Sequence, residues 1–156
     1  MASDATATGQ RLRPNEVAVA LPAGPDAGLY FIGTIHTPWR TREACPRRGT
    51  PDGPVCTIVV ADRWAQALRG LEPPCRIQVL YWMHEARRDL LLQTPMRTGQ
   101  TTGTFALRSP VRPNPIASSI VDLLAVEGAM LRVRGLDCLD GTSLIDIKPV
   151  RLSGEG

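Results

Sequence analysis

Residues 120–136 read IVDLLAVEGAMLRVRGL. Ile120 to Val126 and Met130 to Leu136 are short apolar strands, and Gly128 between them makes a hairpin. Arg76 to Met83 (RIQVLYWM) is the most strand-like run of the chain. It is apolar almost throughout, which predicts burial on both faces. Cys56 to Val60 (CTIVV) and Tyr30 to Thr37 (YFIGTIHT) add two strands, the second ended by Pro38. Thr102 to Leu107 reads as another, and Ser143 to Ile147 follows the turn Asp140-Gly141-Thr142. Asp62 can cap a brief helix through Leu71, where Trp64, Leu68 and Leu71 recur at helical spacing. Residues 85–101 are polar and carry no clear period. Seven short strands, one short helix and frequent turn residues predict a mainly β fold, a small closed or nearly closed β-barrel. Strands do not alternate with helices, so a doubly wound sheet is not expected.

The chain has 156 residues, 43% hydrophobic and 21% charged, which suits one globular domain rather than two or a disordered chain. Residues 1–27 are small, polar and proline-bearing, and read as a loose lead-in. The folded domain is expected over 28–152, with 153–156 as a tail. No apolar run approaches the ~18 residues of a membrane span, and the N-terminus lacks a secretory pattern. The expectation is a soluble cytoplasmic protein with no membrane partner. Residues 39–54 carry three prolines and two glycines, an irregular loop of a length that is usually functional or mobile.

The net charge of +3 does not demand a nucleic-acid partner. Seventeen of the 18 basic residues are Arg, with Lys148 the exception. Arg grips carboxylates and phosphates by two-point contact and stacks on bases, so the bias permits an RNA partner; codon usage explains it equally well. Cys45, Cys56, Cys75 and Cys138 stand 11, 19 and 63 residues apart, with only His36 and His84 to assist. That spacing predicts no metal site.

Neither common nucleotide-binding glycine loop is present, nor a nucleophile elbow. Three runs remain. In Arg108-Ser109-Pro110-Val111-Arg112-Pro113-Asn114-Pro115-Ile116, three prolines stiffen an extended backbone and remove N–H donors. Arg108 and Arg112 then either pair with nearby acids on a rigid loop or form an anion-gripping wall. In Asp137-Cys138-Leu139-Asp140-Gly141-Thr142, Asp140 suits a tight turn bonded to local backbone. Further on, Asp146 lies between two Ile residues on a strand, so it faces solvent or a polar pocket. Finally, Trp82-Met83-His84-Glu85 presents a polar pair where a strand emerges.

Together these runs resemble the YaeB/TsaA-like (TrmO-type) family, whose characterised members methylate N6-threonylcarbamoyladenosine beside the tRNA anticodon. The family's R-S-P-x-R-P-N-P-I-G stands here as Arg108 to Ile116 followed by Ala117. Its D-x-x-D-G-T-P-x-x-D-I-K-P-Y stands as Asp137 to Pro149, with Ser143 for Pro and Val150 for Tyr. Gly33 to Pro38, Pro46-Arg47-Arg48, Ala67 to Glu72 and Met83-His84 match shorter family motifs. The resemblance implies a β-barrel that binds S-adenosyl-L-methionine outside a Rossmann fold, as a homodimer, with tRNA as partner. It assigns the cofactor to Arg47, Arg48, His84, Glu85, Ala86, Arg108, Asp137, Cys138 and Leu139. Arg on the rail would serve the cofactor's carboxylate, Asp137 its amine or ribose, and the Cys138-Leu139 backbone its adenine edge. Arg112, Asn114, Asp146 and Lys148 are the candidate substrate contacts. No proton acceptor stands out, Asp146 and His84 being the only candidates.

Besides Ser143 and Val150, the chain departs from the family at four places. Cys75-Arg76 replaces a Ser-His pair, Arg48 replaces Gln, Ala117 replaces Gly, and only six residues follow Val150 where longer members carry another domain. Two alternatives to a tRNA methyltransferase therefore stand: a cofactor-binding module without its own catalysis, and a methyltransferase for a small molecule.

Overall fold

Side chains that alternate between buried and accessible positions at every second residue account for most of the strands. The computed structural model describes residues 10–151. Its strands are β1 (Val17–Ala18), β2 (Gly33–His36), β3 (Val55–Val60), β4 (Cys75–Trp82), β5 (Leu90–Gln93), β6 (Thr102–Gly103), β7 (Ile116–Glu127), β8 (Met130–Arg134) and β9 (Thr142–Pro149). They fall into two units, one drawn from residues 28–83 and 116–151 and the other from 10–27 and 84–115.

The first unit is a closed antiparallel barrel in the order β2-β3-β8-β7-β4-β9. Its interior is filled by Ile35, Ile58, Ile77, Val79, Val121, Leu123, Leu131, Val133 and Leu144, all buried. Burying each such side chain contributes about 1.5–3 kcal/mol. The expected hairpin is present: Glu127 faces Met130 across a two-residue turn, and Gly128 supplies its positive φ of 63°. A register shift between Leu123 and Ala125 bends β7 as closure requires.

Several expectations need correction. β4 is not buried on both faces: Ile77, Val79 and Tyr81 point inward, while Arg76 is exposed and Gln78 bonds Ser118 Oγ on the outside at 2.8 Å. A barrel strand has one core face, and Leu80 and Trp82 on the other face mask the alternation. Trp82 is instead half-covered by Phe31, their ring centroids 6.2 Å apart. The strand expected over 30–37 shortens to β2. The helix from Asp62 is a 3-10 helix ending at Leu68, with Ala61 as N-cap and no side-chain cap. Trp64, Leu68 and Leu71 nonetheless pack on the core. Their spacing marks the packed face correctly; a short β3–β4 connection favours the tighter helix.

The second unit is a three-stranded sheet, β1-β5-β6. β5 lies inside the stretch that showed no period, and the strand expected over 102–107 stops at Gly103 and becomes a 3-10 turn, Thr104–Ala106. The segment read as a loose lead-in is tied down from Gln10 onward. Arg87 Nη1 donates to Gln10 O at 3.0 Å, Thr94 N to Glu16 Oε1 at 3.1 Å, and Val19 N to Asp89 O at 2.7 Å. Residues 1–9 and the tail expected over 153–156 lie outside the described residues. No helix among the described residues is long and apolar enough to cross a membrane.

Candidate functional site

In the barrel unit, two motifs 88 to 92 residues apart in sequence meet at Asp137. The Cys45 thiol donates to the Asp137 carbonyl at 3.1 Å, and Gly49 N–H donates to Asp137 Oδ2 at 3.2 Å. Gly49 also presses directly on the backbone after β8: a Cβ there would lie 1.9 Å from Gly135 O. Only glycine permits that approach. Residues 45–49 thus form an arch with both feet on the segment 135–137 and Arg47 and Arg48 at its crest. Both Arg side chains are exposed and make no hydrogen bond or ion pair with the described residues.

Asp137 is held from inside the barrel. Tyr81 Oη donates to its Oδ1 at 2.8 Å, Ser119 Oγ lies 3.3 Å from the same oxygen, and the two hydroxyls are 2.9 Å apart. Burial, and then the adjacent Asp137 charge, push the Tyr81 phenol well above its ordinary range. It remains a donor at any physiological pH. A carboxylate offers about four acceptor positions. After Gly49, Oδ2 keeps one for a further donor.

The next residues are stitched to the exit of β2. Thr37 Oγ1 donates to Cys138 O at 2.8 Å, Thr142 Oγ1 to Leu139 O at 2.7 Å, and Asp140 N to Trp39 O at 2.7 Å. The Asp140 carboxylate accepts Thr37 N at 3.2 Å and lies 3.3 Å from His36 Nδ1. The turn at Asp140 therefore binds a distant strand rather than only its own backbone, as first expected. Cys138 is buried, and that burial is the main cause pushing its thiol up to about 12. It stays protonated and is no nucleophile. Burial and the Asp137 charge raise the Cys45 thiol as well. Asp146 and Lys148 lie on the outer face of β9, where they pair at 2.8 Å, so the solvent alternative holds for Asp146.

The proline rail, His84, Glu85 and Ala86 belong to the second unit. Pro110, Pro113 and Pro115 remove the N–H groups a ladder would need, and side chains meet the rail's carbonyls instead. Gln93 Nε2 donates to Val111 O at 2.6 Å and Arg88 Nε to Pro113 O at 2.6 Å. Arg88 Nη2 reaches Asn114 Oδ1 at 3.4 Å. Arg112 Nη1 turns back onto Leu107 O and Ser109 O, both at 3.0 Å, so these bonds go to carbonyls and not to acids. Arg108 is exposed. His84 and Glu85 are exposed neighbours 3.9 Å apart, and Ala86 is half-buried.

The barrel therefore seats the loop that carries Arg47 and Arg48 on Asp137, the residue before Cys138 and Leu139, and sets Asp146 and Lys148 on an outer strand face. Sequence reasoning missed Tyr81, Ser119, Arg88 and Gln93. The last two had a signal, because a proline-rich rail leaves carbonyls in need of donors. No group of three or more His, Cys, Asp or Glu side chains among the described residues could hold a metal ion.

The family model described as tRNA-methyltransferase O N-terminal domain matches residues 34–152. A probable S-adenosyl-L-methionine-binding protein, VirR of Rhizobium radiobacter, is 55% identical over 141 residues, 90% of this chain and 81% of that protein. The tRNA (adenine(37)-N6)-methyltransferase of Escherichia coli strain K12 is 35% identical over 130 residues, covering 76% of this chain and 55% of that enzyme. This chain thus spans about half the length of the E. coli relative. The crystal structure of TrmO from P. aeruginosa superposes with a TM-score of 0.67 at 29% identity, covering 83% of this chain and 57% of that one.

Proposed function

The chain belongs to the tRNA-methyltransferase O N-terminal domain family, and from that premise we propose that it is a non-Rossmann, S-adenosyl-L-methionine-dependent tRNA methyltransferase. Its methyl acceptor is N6 of threonylcarbamoyladenosine beside the anticodon. The observation that carries this reading is the arch on Asp137, which joins two motif segments within one barrel.

The residues present suit the cofactor. Arg47 and Arg48 offer uncommitted guanidinium groups to a carboxylate, and Oδ2 of Asp137 keeps an acceptor position for an amine or a ribose hydroxyl. The bonds to Cys138 O and Leu139 O hold that backbone in one conformation before anything binds, so little ordering is left to oppose binding. The cofactor supplies an electrophilic methyl group on a sulfonium. The chain's own task is to orient that methyl in line with the acceptor nitrogen and to keep water away. His84, Glu85, Ala86 and Arg108 are assigned to the cofactor, and Arg112, Asn114, Asp146 and Lys148 to the substrate, by family motif. The working protein is a cytoplasmic homodimer.

Calorimetric titration with S-adenosyl-L-methionine, then with total tRNA at two salt concentrations, tests the reading. Cofactor binding together with salt-sensitive tRNA binding supports it, since phosphate contacts release counterions. Cofactor binding without tRNA binding would favour a binding module, in keeping with the name that the 55%-identical relative carries.

A further inference from the structure

We infer that Tyr81 and Ser119 are positioning residues that act through Asp137 to hold the Cys45–Gly49 arch, and with it Arg47 and Arg48, in the geometry that receives S-adenosyl-L-methionine. The consequence for the cofactor rests on the function proposed above; the mechanical part does not.

Three polar atoms form a closed triangle: Tyr81 Oη to Asp137 Oδ1 at 2.8 Å, Tyr81 Oη to Ser119 Oγ at 2.9 Å, and Ser119 Oγ to Asp137 Oδ1 at 3.3 Å. Two hydroxyl protons serve these three contacts. Tyr81 gives its proton to the carboxylate, its acceptor in the shortest contact, and Ser119 shares its own between Tyr81 Oη and Oδ1. The chain from Ser119 through Tyr81 to Asp137 polarises each member in turn, which strengthens the bond at the carboxylate.

Both hydroxyls come from the barrel wall. Tyr81 on β4 pairs with Ala117 on β7, and Ser119 lies two residues along β7, the diagonal position on the same face. Tyr81 is 3% exposed, so its ring cannot follow a moving loop. With Oδ1 fixed to the wall, Oδ2 has one orientation, and in it accepts Gly49 N–H. The Cys45 bond to the Asp137 carbonyl sets the other foot. A carboxylate free to rotate would release Gly49, leaving Arg47 and Arg48 on a loop anchored at one end. Tyr81 and Ser119 thus govern the crest of the arch without touching it.

The test uses the full chain with Tyr81→Phe, Ser119→Ala and the double variant. Three measurements are made on each: amide exchange at Gly49, thermal melting, and calorimetric titration with S-adenosyl-L-methionine. Tyr81→Phe should speed Gly49 exchange, leave exchange in the strands and the melting temperature close to the parent, and weaken cofactor binding by about tenfold. Ser119→Ala should do the same to a smaller degree. Unchanged Gly49 exchange in the double variant would overturn the inference, and so would a loosened arch that binds the cofactor at parental affinity. Exchange raised across the whole barrel with a large fall in melting temperature would reduce Tyr81 to a core residue and overturn it too. A parent chain that takes up no S-adenosyl-L-methionine would instead defeat the proposed function, and Gly49 exchange would still decide whether Tyr81 and Ser119 hold the arch.

Discussion

Gly49 illustrates how one residue's lack of a side chain can govern a site. Its amide needs Asp137 and its Cα lies against the Gly135 carbonyl, so the arch has no room for a methyl group. Gly49→Ala should lift the arch and lower S-adenosyl-L-methionine affinity at least about tenfold, roughly 1.4 kcal/mol. Titration of that variant checks it, and parental affinity would remove the arch from the binding site. Arg47, Arg48 and Asp137 could be picked out from motif alone. Tyr81 and Ser119 could not, because in sequence both read as ordinary strand residues. Only the register of β4 on β7 shows that their hydroxyls converge on one carboxylate oxygen.

At the scale of elements, the proline rail and the N-terminal strand share a strategy: side chains replace absent ladder bonds. Arg87 is buried and forks onto Asp89 at 2.7 and 2.8 Å, and the pair is tied to the N-terminal segment by Arg87 Nη1 on Gln10 O and by Val19 N on the Asp89 carbonyl. The Arg87 hydrogen bond holds the Asp89 carboxyl below its ordinary pKa. A lowered carboxylate pKa adds stability above the unfolded value of about 3.9, and that stability is lost as pH falls through the folded value. Asp89→Asn should therefore cost about 3 kcal/mol at pH 7, since it leaves a buried guanidinium without its anion. It should cost much less near pH 2. Urea denaturation of parent and variant at both pH values gives the comparison, and an equal cost at each would refute the clamp. None of this was legible beforehand, because Arg87 and Asp89 sit in a polar stretch whose period indicates nothing. The apolar hairpin at 120–136 was legible, since local turn chemistry and alternation agree there.

For the whole molecule, charge sets what an RNA partner could gain. A net charge of +3 provides little long-range attraction, so binding must rest on a few placed arginines. With three to five phosphate contacts to an unpaired loop, log affinity for tRNA should fall with log salt at a slope of about −2 to −3.5. Filter binding across a salt series measures it; a slope near zero would exclude a phosphate-led tRNA complex. A homodimer in solution should melt at a temperature that rises with protein concentration. Melting that does not depend on concentration would mean a monomer.

Alternation of apolar residues, the Gly128 turn and the lack of strand–helix periodicity were enough to determine a mainly β fold and its hairpin, because these signals act between near neighbours in the chain. Motif residues likewise picked out the segments proposed to carry chemistry. Tertiary structure decided which of them meet: the arch stands on Asp137 because the antiparallel pairing of β3 with β8, Val55 opposite Arg134, sets the loop before β3 beside the end of β8. It also decided that Asp146 and Lys148 pair on an outer face, that β4 has a single core side, and that two wall hydroxyls serve one carboxylate. Hydrogen bonds between residues some 40 to 90 positions apart depend on register and closure, which no local pattern encodes.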